Sequence, residues 1–348
     1  MNTPSQPADC IRDVEHLEER LSEPTEAVVE TMRRLDGDLL VLGVGGKMGP
    51  TLARMAVRAS AAAGVRRRVI GVSRFSNAAL QQQLESHGIE TIRCDLLDRS
   101  QLAGLPTIPN VLYMPAMKFG TTGQEAMTWA MNAYLPGMIC ERFPESRIVA
   151  FSTGNVYGMV PVEQGGSVET DTLRPDGDYS ASCIGRERIF AYFSRELGIP
   201  VALIRLNYAN ELRYGILIDL AQQVLAGKPI DLTMGYFNAV WQADANAMTL
   251  RAFDHTAVAP RVINVAGPDI LSAGRVAEQF GRLFDKPVEL TGTEASDALL
   301  SDGRLGYDLL GTPRTTPETM MRWIADWLTR RQPTLGKPTH FQTRDGEF

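Results

Sequence analysis

The sequence predicts an α/β fold, a doubly wound parallel sheet with a smaller mixed C-terminal lobe, and three observations predict it. Strand-like apolar runs alternate with helical periodicity over most of the chain, which is how a parallel sheet with right-handed crossovers is built. The first run, Asp38-Leu39-Leu40-Val41-Leu42, is continuously rather than alternately apolar, as in a central strand covered on both faces. It leads straight into Gly43-Val44-Gly45-Gly46-Lys47-Met48-Gly49, and residues 50–56 then carry apolar groups at helical spacing behind a proline suited to a first turn.

The other elements follow in order. Arg68-Val69-Ile70-Gly71-Val72-Ser73 reads as the second strand and Glu90-Thr91-Ile92-Arg93-Cys94 as the third. Val111-Leu112-Tyr113-Met114, residues 147–151 and residues 201–205 continue the sheet, separated by helical patterns at about 127–140 and 181–197. Beyond Asn207, Gly and Pro punctuate the pattern, a helix follows Gly215, Val262-Ile263-Asn264-Val265 returns to the sheet and residues 317–328 close as a helix. Upstream, Ile11, Val14, Leu17 and Leu21 share one helical face, and Thr25 is placed to cap a second helix ending near Gly37. The expected organisation is a helical extension over 1–37 that packs on the sheet domain or on a neighbouring subunit, and a Rossmann domain over 38–206 with a return segment at about 236–266. A substrate lobe over 207–235 and 267–330 and an extended tail over 331–348, covering a neighbouring subunit of a homodimer, complete it.

Composition narrows the function. With 348 residues and 44% hydrophobic content, the chain can bury a full doubly wound domain and a smaller companion. A formal net charge of −6 without long basic runs argues against nucleic acid as a partner. The polar start and the lack of any apolar run of membrane-spanning length predict a cytoplasmic protein with no membrane partner. Four cysteines, at 10, 94, 140 and 183, and four histidines show neither CxxC nor metal-ligand spacing, so no disulfide framework and no metal are expected. Cys94 and Cys140 read as buried thiols, and Trp129 and Trp241 as core.

Strand, glycine loop and helix occur in the order that lets backbone N–H groups and a helix N-terminus hold a pyrophosphate, with Gly43, Gly46, Met48 and Gly49 as the turn. About 20 to 25 residues further on, where an acid ordinarily takes the adenosine ribose hydroxyls, stand Ser73 and Arg74. An acid would repel a 2′-phosphate; a hydroxyl followed by a guanidinium suits one, so NADP is expected over NAD. Lys47 is a second cation nearby, or a solvated side chain. Asp95-Leu96 ends the third strand as an adenine clamp or, equally, as a cap on the following helix.

Thr153 precedes Tyr179 by 26 positions, and Tyr179-Ser180-Ala181-Ser182-Cys183 places Cys four residues after the tyrosine. Taken with Gly43-x-x-Gly46-x-x-Gly49, Asp95-Leu96, Asn132, the run from Phe151 to Gly158, Glu187, the run from Val240 to Asp244 and Asn264-Val265-Ala266-Gly267, the chain resembles an extended short-chain dehydrogenase/reductase of the NAD(P)-dependent epimerase/dehydratase type. The resemblance covers about 38–330. It implies Thr153 and Tyr179 as the catalytic pair, Met114, Ala116, Ser152 and position 183 at the cofactor, and a lysine at 183 that charges the phenol's surroundings and holds the nicotinamide ribose. Cys183 departs from that pattern. A neutral thiol is no cation, and a thiolate raises a neighbouring phenol's pKa. Lys118, which matches a cofactor-holding lysine of UDP-galactose 4-epimerases, is the first replacement cation and Arg186 the second. Otherwise the cofactor's own charge suffices, or the protein binds NADP without chemistry.

For substrate, the resemblance implies arginines that hold the diphosphate of a nucleotide sugar, yet Phe237-Asn238-Ala239 stands at the first such place and no Arg-x-Gly-Asp at the second. A pyrophosphate without cations is poorly bound. A small free sugar, sugar acid or related carbonyl compound is the expected substrate, with Asn155, Asn207 and Tyr208 on its hydroxyls and Arg213 on a carboxylate; each also reads as a strand- or turn-closing group. Oxidation or reduction with released cofactor is expected, with an epimerase or dehydratase that recycles it as the alternative.

Overall fold

In a computed structural model, residues 10–118, 120 and 123–344 are described; Phe119, the polar start and the last four residues of the tail lie outside them. Seven strands, β1 (Leu39–Leu42), β2 (Val69–Ser73), β3 (Glu90–Arg93), β4 (Asn110–Tyr113), β5 (Arg147–Thr153), β6 (Val201–Leu206) and β7 (Arg261–Val265), form one sheet in the order β7-β6-β5-β4-β1-β2-β3. All neighbours run parallel. The order reverses between β1 and β4, so the loops leaving those strands part and open a crevice at their C-terminal ends.

Helices cover both faces: α1 (Val14–Leu21), α2 (Glu26–Arg34), α3 (Gly49–Ala62), α4 (Ala78–Ser86), α5 (Arg99–Ala103), α6 (Glu125–Trp129), α7 (Leu135–Arg142), α8 (Gly177–Leu197), α9 (Ile216–Leu225), α10 (Gln242–Arg251), α11 (Ala273–Phe284), α12 (Arg304–Leu310) and α13 (Pro317–Thr329). Strand side chains alternate, so Leu39 and Val41 enter the core under α2, α3 and α10, while Leu40 and Leu42 enter the one beneath α7 and α8. A third core joins α9, α11 and α13. None of the described helices is long and apolar enough to cross a membrane.

The N-terminal helices start where their caps dictate: Asp13 accepts from His16 N at 2.8 Å and Thr25 from Val28 N at 3.1 Å. Leu17 and Leu21 join the third core, and Val28 and Met32 join the one containing α3, so the extension spans sheet domain and lobe of its own chain. The described part of the tail packs on its own chain. Thr339 donates through both its N–H and its hydroxyl to Asp219 Oδ2, at 2.8 and 2.6 Å, and Phe341 is buried with its ring centroid 6.0 Å from that of Phe237. The apolar Phe341 pulls the segment into the lobe, a contact that a sequence without periodicity does not announce. Phe341→Ala is expected to lower unfolding free energy by about 3 kcal/mol. A urea melt coincident with wild type would show the tail to be loosely held.

Two further expectations change. The predicted helix over 127–140 is interrupted by a π-helical turn at Ala130–Tyr134. Trp129, expected in the core, is 40% exposed and donates from Nε1 to Asp178 Oδ1 at 2.7 Å, because its indole N–H finds a carboxylate at the helix surface. Trp241 is buried against Trp323, and Cys94 and Cys140 are buried as well.

Candidate active site

The crevice begins at the glycine loop. Gly43 adopts φ +79°, which a side chain tolerates poorly, and its N–H donates to Val72 O at 2.9 Å, tying the turn after β1 to β2. Gly49 opens α3 so close to the loop that a Cβ there lies 2.3 Å from Val44 O. No side chain caps that helix. A bare helix N-terminus held against a turn of small residues is a cradle of the kind that fits a dinucleotide's pyrophosphate.

From this loop a cavity of about 300 Å³ runs toward the C-terminal lobe. Gly43, Gly46, Lys47, Met48, Met114, Ala116, Lys118, Ser152, Thr153, Asn155, Tyr179 and Tyr208 all line it, bringing twelve of the expected site residues together. Arg186, Tyr214 and Thr339 line it as well. The C-terminal tail therefore contributes a wall that local sequence pattern did not reveal.

Seven expected residues lie elsewhere, and Gly49 packs beneath the loop. Ser73 ends β2 beside the loop, its hydroxyl 2.5 Å from where a Cβ on Gly45 would sit, and Arg74 is exposed next to it. Asp95 accepts from Leu97 N, while the cap of α5 is Asp98, which accepts from Ser100 N at 2.9 Å and Gln101 N at 3.2 Å; Leu96 is buried in the core beneath α7. Cys183 is buried behind Tyr179. Asn207 Nδ2 donates to Asn238 Oδ1 and Leu299 O, closing β6 onto the lobe. Arg213 pairs with Glu18 at 2.7 Å and Glu211 at 3.1 Å, which links α1 to the segment before α9.

At the far end β5 presents Ser152 and Thr153, and α8 begins early enough, at Gly177, to put Tyr179 on its first turn. Tyr179 and Thr153 line the same cavity, and Thr153 Oγ1 donates to Asn155 Oδ1 at 2.9 Å and accepts from Asn155 N at 3.2 Å. Burial pushes the Tyr179 phenol well above the tyrosine range and Cys183 adds to that, while the Arg186 cation and the Thr153 hydroxyl act in the opposite direction. Burial likewise raises the Cys183 thiol, opposed by Arg186, Tyr179 and, more weakly, Lys118.

Two lysines face this space. Lys118 Nζ lies 5.7 Å from the centroid of the Tyr179 ring and 6.0 Å from that of Tyr208, and burial lowers it to about 8. Lys47 is no solvated side chain: its Nζ donates to Ala209 O at 3.1 Å and sits 4.0 Å from the Tyr214 ring centroid. Desolvation lowers it to about 8 despite the nearby Glu211 carboxylate.

Asn132 ties the two walls. It occupies the π-helical turn, accepts from Met117 N and donates from Nδ2 to Met117 O, both at 2.9 Å, and to Ser182 Oγ at 3.0 Å, so it fixes the segment bearing Lys118 against α8. Below it, Arg205 grips Glu187 with two bonds of 2.9 and 2.6 Å, Ser152 Oγ donates to Glu187 at 2.5 Å, and Arg205 also donates to Tyr157 OH at 2.8 Å. This buried network holds the end of β5, and Thr153 with it.

Residues 39–266 match the model of the family described as the NAD dependent epimerase/dehydratase family. No curated protein matches the chain at a significant level. Among solved structures, dTDP-glucose 4,6-dehydratase from Bacillus anthracis, in complex with NAD, is similar at 17% identity with a TM-score of 0.71, over 85% of this chain and 97% of that one. UDP-glucuronic acid 4-epimerase from Bacillus cereus, in complex with UDP-glucuronic acid and NAD, is similar at 18% identity with a TM-score of 0.69, over 84% and 99%. The dTDP-glucose 4,6-dehydratase DesIV from Streptomyces venezuelae is similar at 18% identity with a TM-score of 0.70, over 84% and 97%. These likenesses establish a shared fold.

Proposed function

The chain belongs to the NAD-dependent epimerase/dehydratase family, and from that premise we propose that it is an NAD(P)-dependent oxidoreductase acting on a hydroxyl or carbonyl carbon of a small sugar, sugar acid or related compound. The observation that carries the reading is that Tyr179 and Thr153 stand together in the wall of the cavity that starts at the glycine loop. When bound, the dinucleotide supplies a hydride acceptor or donor. Tyr179 exchanges a proton with the substrate oxygen, and Thr153 fixes that oxygen and shares its developing charge. Gly43, Gly46 and Met48 hold the pyrophosphate, and Met114, Ala116, Ser152 and Lys118 line the nicotinamide end. Lys118 takes the ribose-holding task that a lysine at 183 has in the family pattern.

The small-substrate reading is supported by Thr339 of the tail and by the rings of Tyr208 and Tyr214, which wall the same cavity of about 300 Å³ as Tyr179. Asn155, at the cavity surface, is placed for a substrate hydroxyl; Asn207 and Arg213 serve better as the lobe's own ties. The test is absorbance at the reduced-nicotinamide band with a panel of sugars and sugar acids. A net change that requires stoichiometric cofactor supports oxidoreduction. The family name favours a second reading, epimerase or dehydratase, in which product forms with no net change in cofactor.

NADP is the proposed dinucleotide, on the strength of Ser73 beside the loop and an exposed Arg74 at the end of β2. Arg74→Ala is expected to weaken NADP binding about tenfold, the scale of one charge-assisted hydrogen bond, and to leave NAD binding within about twofold. Equal or tighter binding of NAD by the wild-type protein in calorimetric titration would refute the preference.

A further inference from the structure

Position 183 holds no lysine, yet a cation lies buried within one helical turn of it. Tyr179, Cys183 and Arg186 fall at i, i+4 and i+7 on α8 and so share one stripe of that helix. Arg186 is 2% exposed and lines the same cavity as Tyr179. Its guanidinium donates from Nε to Asn132 O at 3.2 Å, from Nη1 to Phe151 O at 2.8 Å and from Nη2 to Asn132 Oδ1 at 2.8 Å. All three acceptors are uncharged. Glu187, the nearest carboxylate on α8, is gripped by Arg205 instead.

The surroundings are shaped to keep this cation in place. Pro136, in the first turn of α7, brings no N–H, so the carbonyls that a helical donor at 136 would serve are left open. Tyr113 OH donates to one of them, Met131 O, at 3.3 Å, and Arg186 Nε to the other, Asn132 O. The π-helical turn and the proline together make a socket for one guanidinium. A buried cation held only by neutral dipoles is costly unless a neighbour takes negative charge. The titratable or charged groups facing Tyr179 and Arg186 are Cys183 and Glu187 on α8, Lys118 after β4, Tyr113 on β4 and Tyr208 after β6. Tyr179 shares the cavity wall with Thr153 and Arg186.

We propose that Arg186 is a positioning residue that supplies, from 186, the fixed positive charge which the family pattern supplies from a lysine at 183, acting on the Tyr179 phenol. One task of that lysine, charge, has moved two turns along the helix from the tyrosine, and the other, contact with the cofactor, is left to Lys118. The inference rests on Tyr179 being the group that exchanges the proton. The electrostatics agree in sign, since Arg186 stabilises the ionised phenol against the opposing effect of burial.

The test reads the phenol without turnover. A fluorinated tyrosine, whose phenol is more acidic than tyrosine's, is installed at position 179 of the full chain and titrated by ¹⁹F NMR. Arg186→Met and Arg186→Gln are each expected to raise the midpoint by about one unit or more, tenfold or more in ionisation constant, whereas Arg186→Lys moves it less. Restoring the family's lysine, in Arg186→Met/Cys183→Lys, is expected to bring the midpoint back. A folded neutral variant, judged by circular dichroism, with a wild-type midpoint overturns the proposal. If neither neutral variant folds, the double variant decides: a wild-type midpoint supports the exchange of one cation for the other, and one displaced upward by about a unit or more overturns it. A protein that reduces or oxidises no substrate, yet shows the shifted midpoint, refutes the proposed function, while the charge that Arg186 exerts on the phenol stands.

Discussion

Tyr179→Phe is expected to lower kcat by about a hundred- to ten-thousandfold while leaving cofactor affinity within about twofold, because on the proposed function it deletes the hydroxyl that exchanges the proton and leaves the ring in place. The phenol is buried and packs with Cys183, so removal of its one oxygen leaves no space large enough to reorganise the cavity. Steady-state kinetics with the identified substrate, beside calorimetric cofactor binding, measure both quantities. On the same proposal Thr153→Val should lower kcat by a smaller factor, since it removes one hydrogen bond to the substrate oxygen and the Thr153 hydroxyl's bond to Asn155 Oδ1. Unchanged turnover in Tyr179→Phe would move the chemistry to another group, and cofactor binding without turnover in either protein is the signature of a silent binding protein.

Glu187→Ala is expected to be the most destabilising single substitution in the site, costing about 3–5 kcal/mol. Its carboxylate and the Arg205 guanidinium are 6% and 5% exposed, and removing one partner strands the other in the core. Arg205 would keep only Tyr157 OH and Glu169 O, and Ser152 Oγ would lose its acceptor. Replacing both partners by apolar residues of similar size, Glu187→Leu/Arg205→Met, should recover most of the loss, because it strands no buried charge. Denaturant melts of the three proteins measure this. A Glu187→Ala protein within about 1 kcal/mol of wild type would mean that water reaches the pair. Because the network also anchors Ser152 beside Thr153, the double variant should refold to stability while kcat remains reduced.

The sheet was legible because its cause is local. The continuous apolar run of β1, the alternation of strand and helix patterns, and a glycine loop between strand and helix are each written within a few residues, and parallel pairing follows from the lengths of the crossovers. Glycine at 43 is required by a positive φ, and Thr25 caps its helix with its own hydroxyl. The cavity wall from Gly43 to Tyr179 was legible for a different reason: the order of the family's elements carries their spatial arrangement with it.

What lay outside that pattern depended on contacts between residues far apart in the chain. Lys47 looked like a solvated side chain until β6 and the segment after it brought Ala209 O and the Tyr214 ring to meet it. The tail carries one buried aromatic and two bonds to Asp219, too few to leave a periodic signal, yet it builds a wall of the site. Arg186 was visible as a charge one turn from Cys183, but not as a buried one, because its socket is made by Asn132, Phe151 and a missing N–H at Pro136, drawn from three separate elements. By itself the sequence determined the parallel sheet and the glycine loop between β1 and α3, since backbone conformation and hydrophobic period are properties of short segments. Only the tertiary structure decided which cations face the phenol and which are spent on ion pairs, since burial and hydrogen-bond partners exist only once distant segments have packed together.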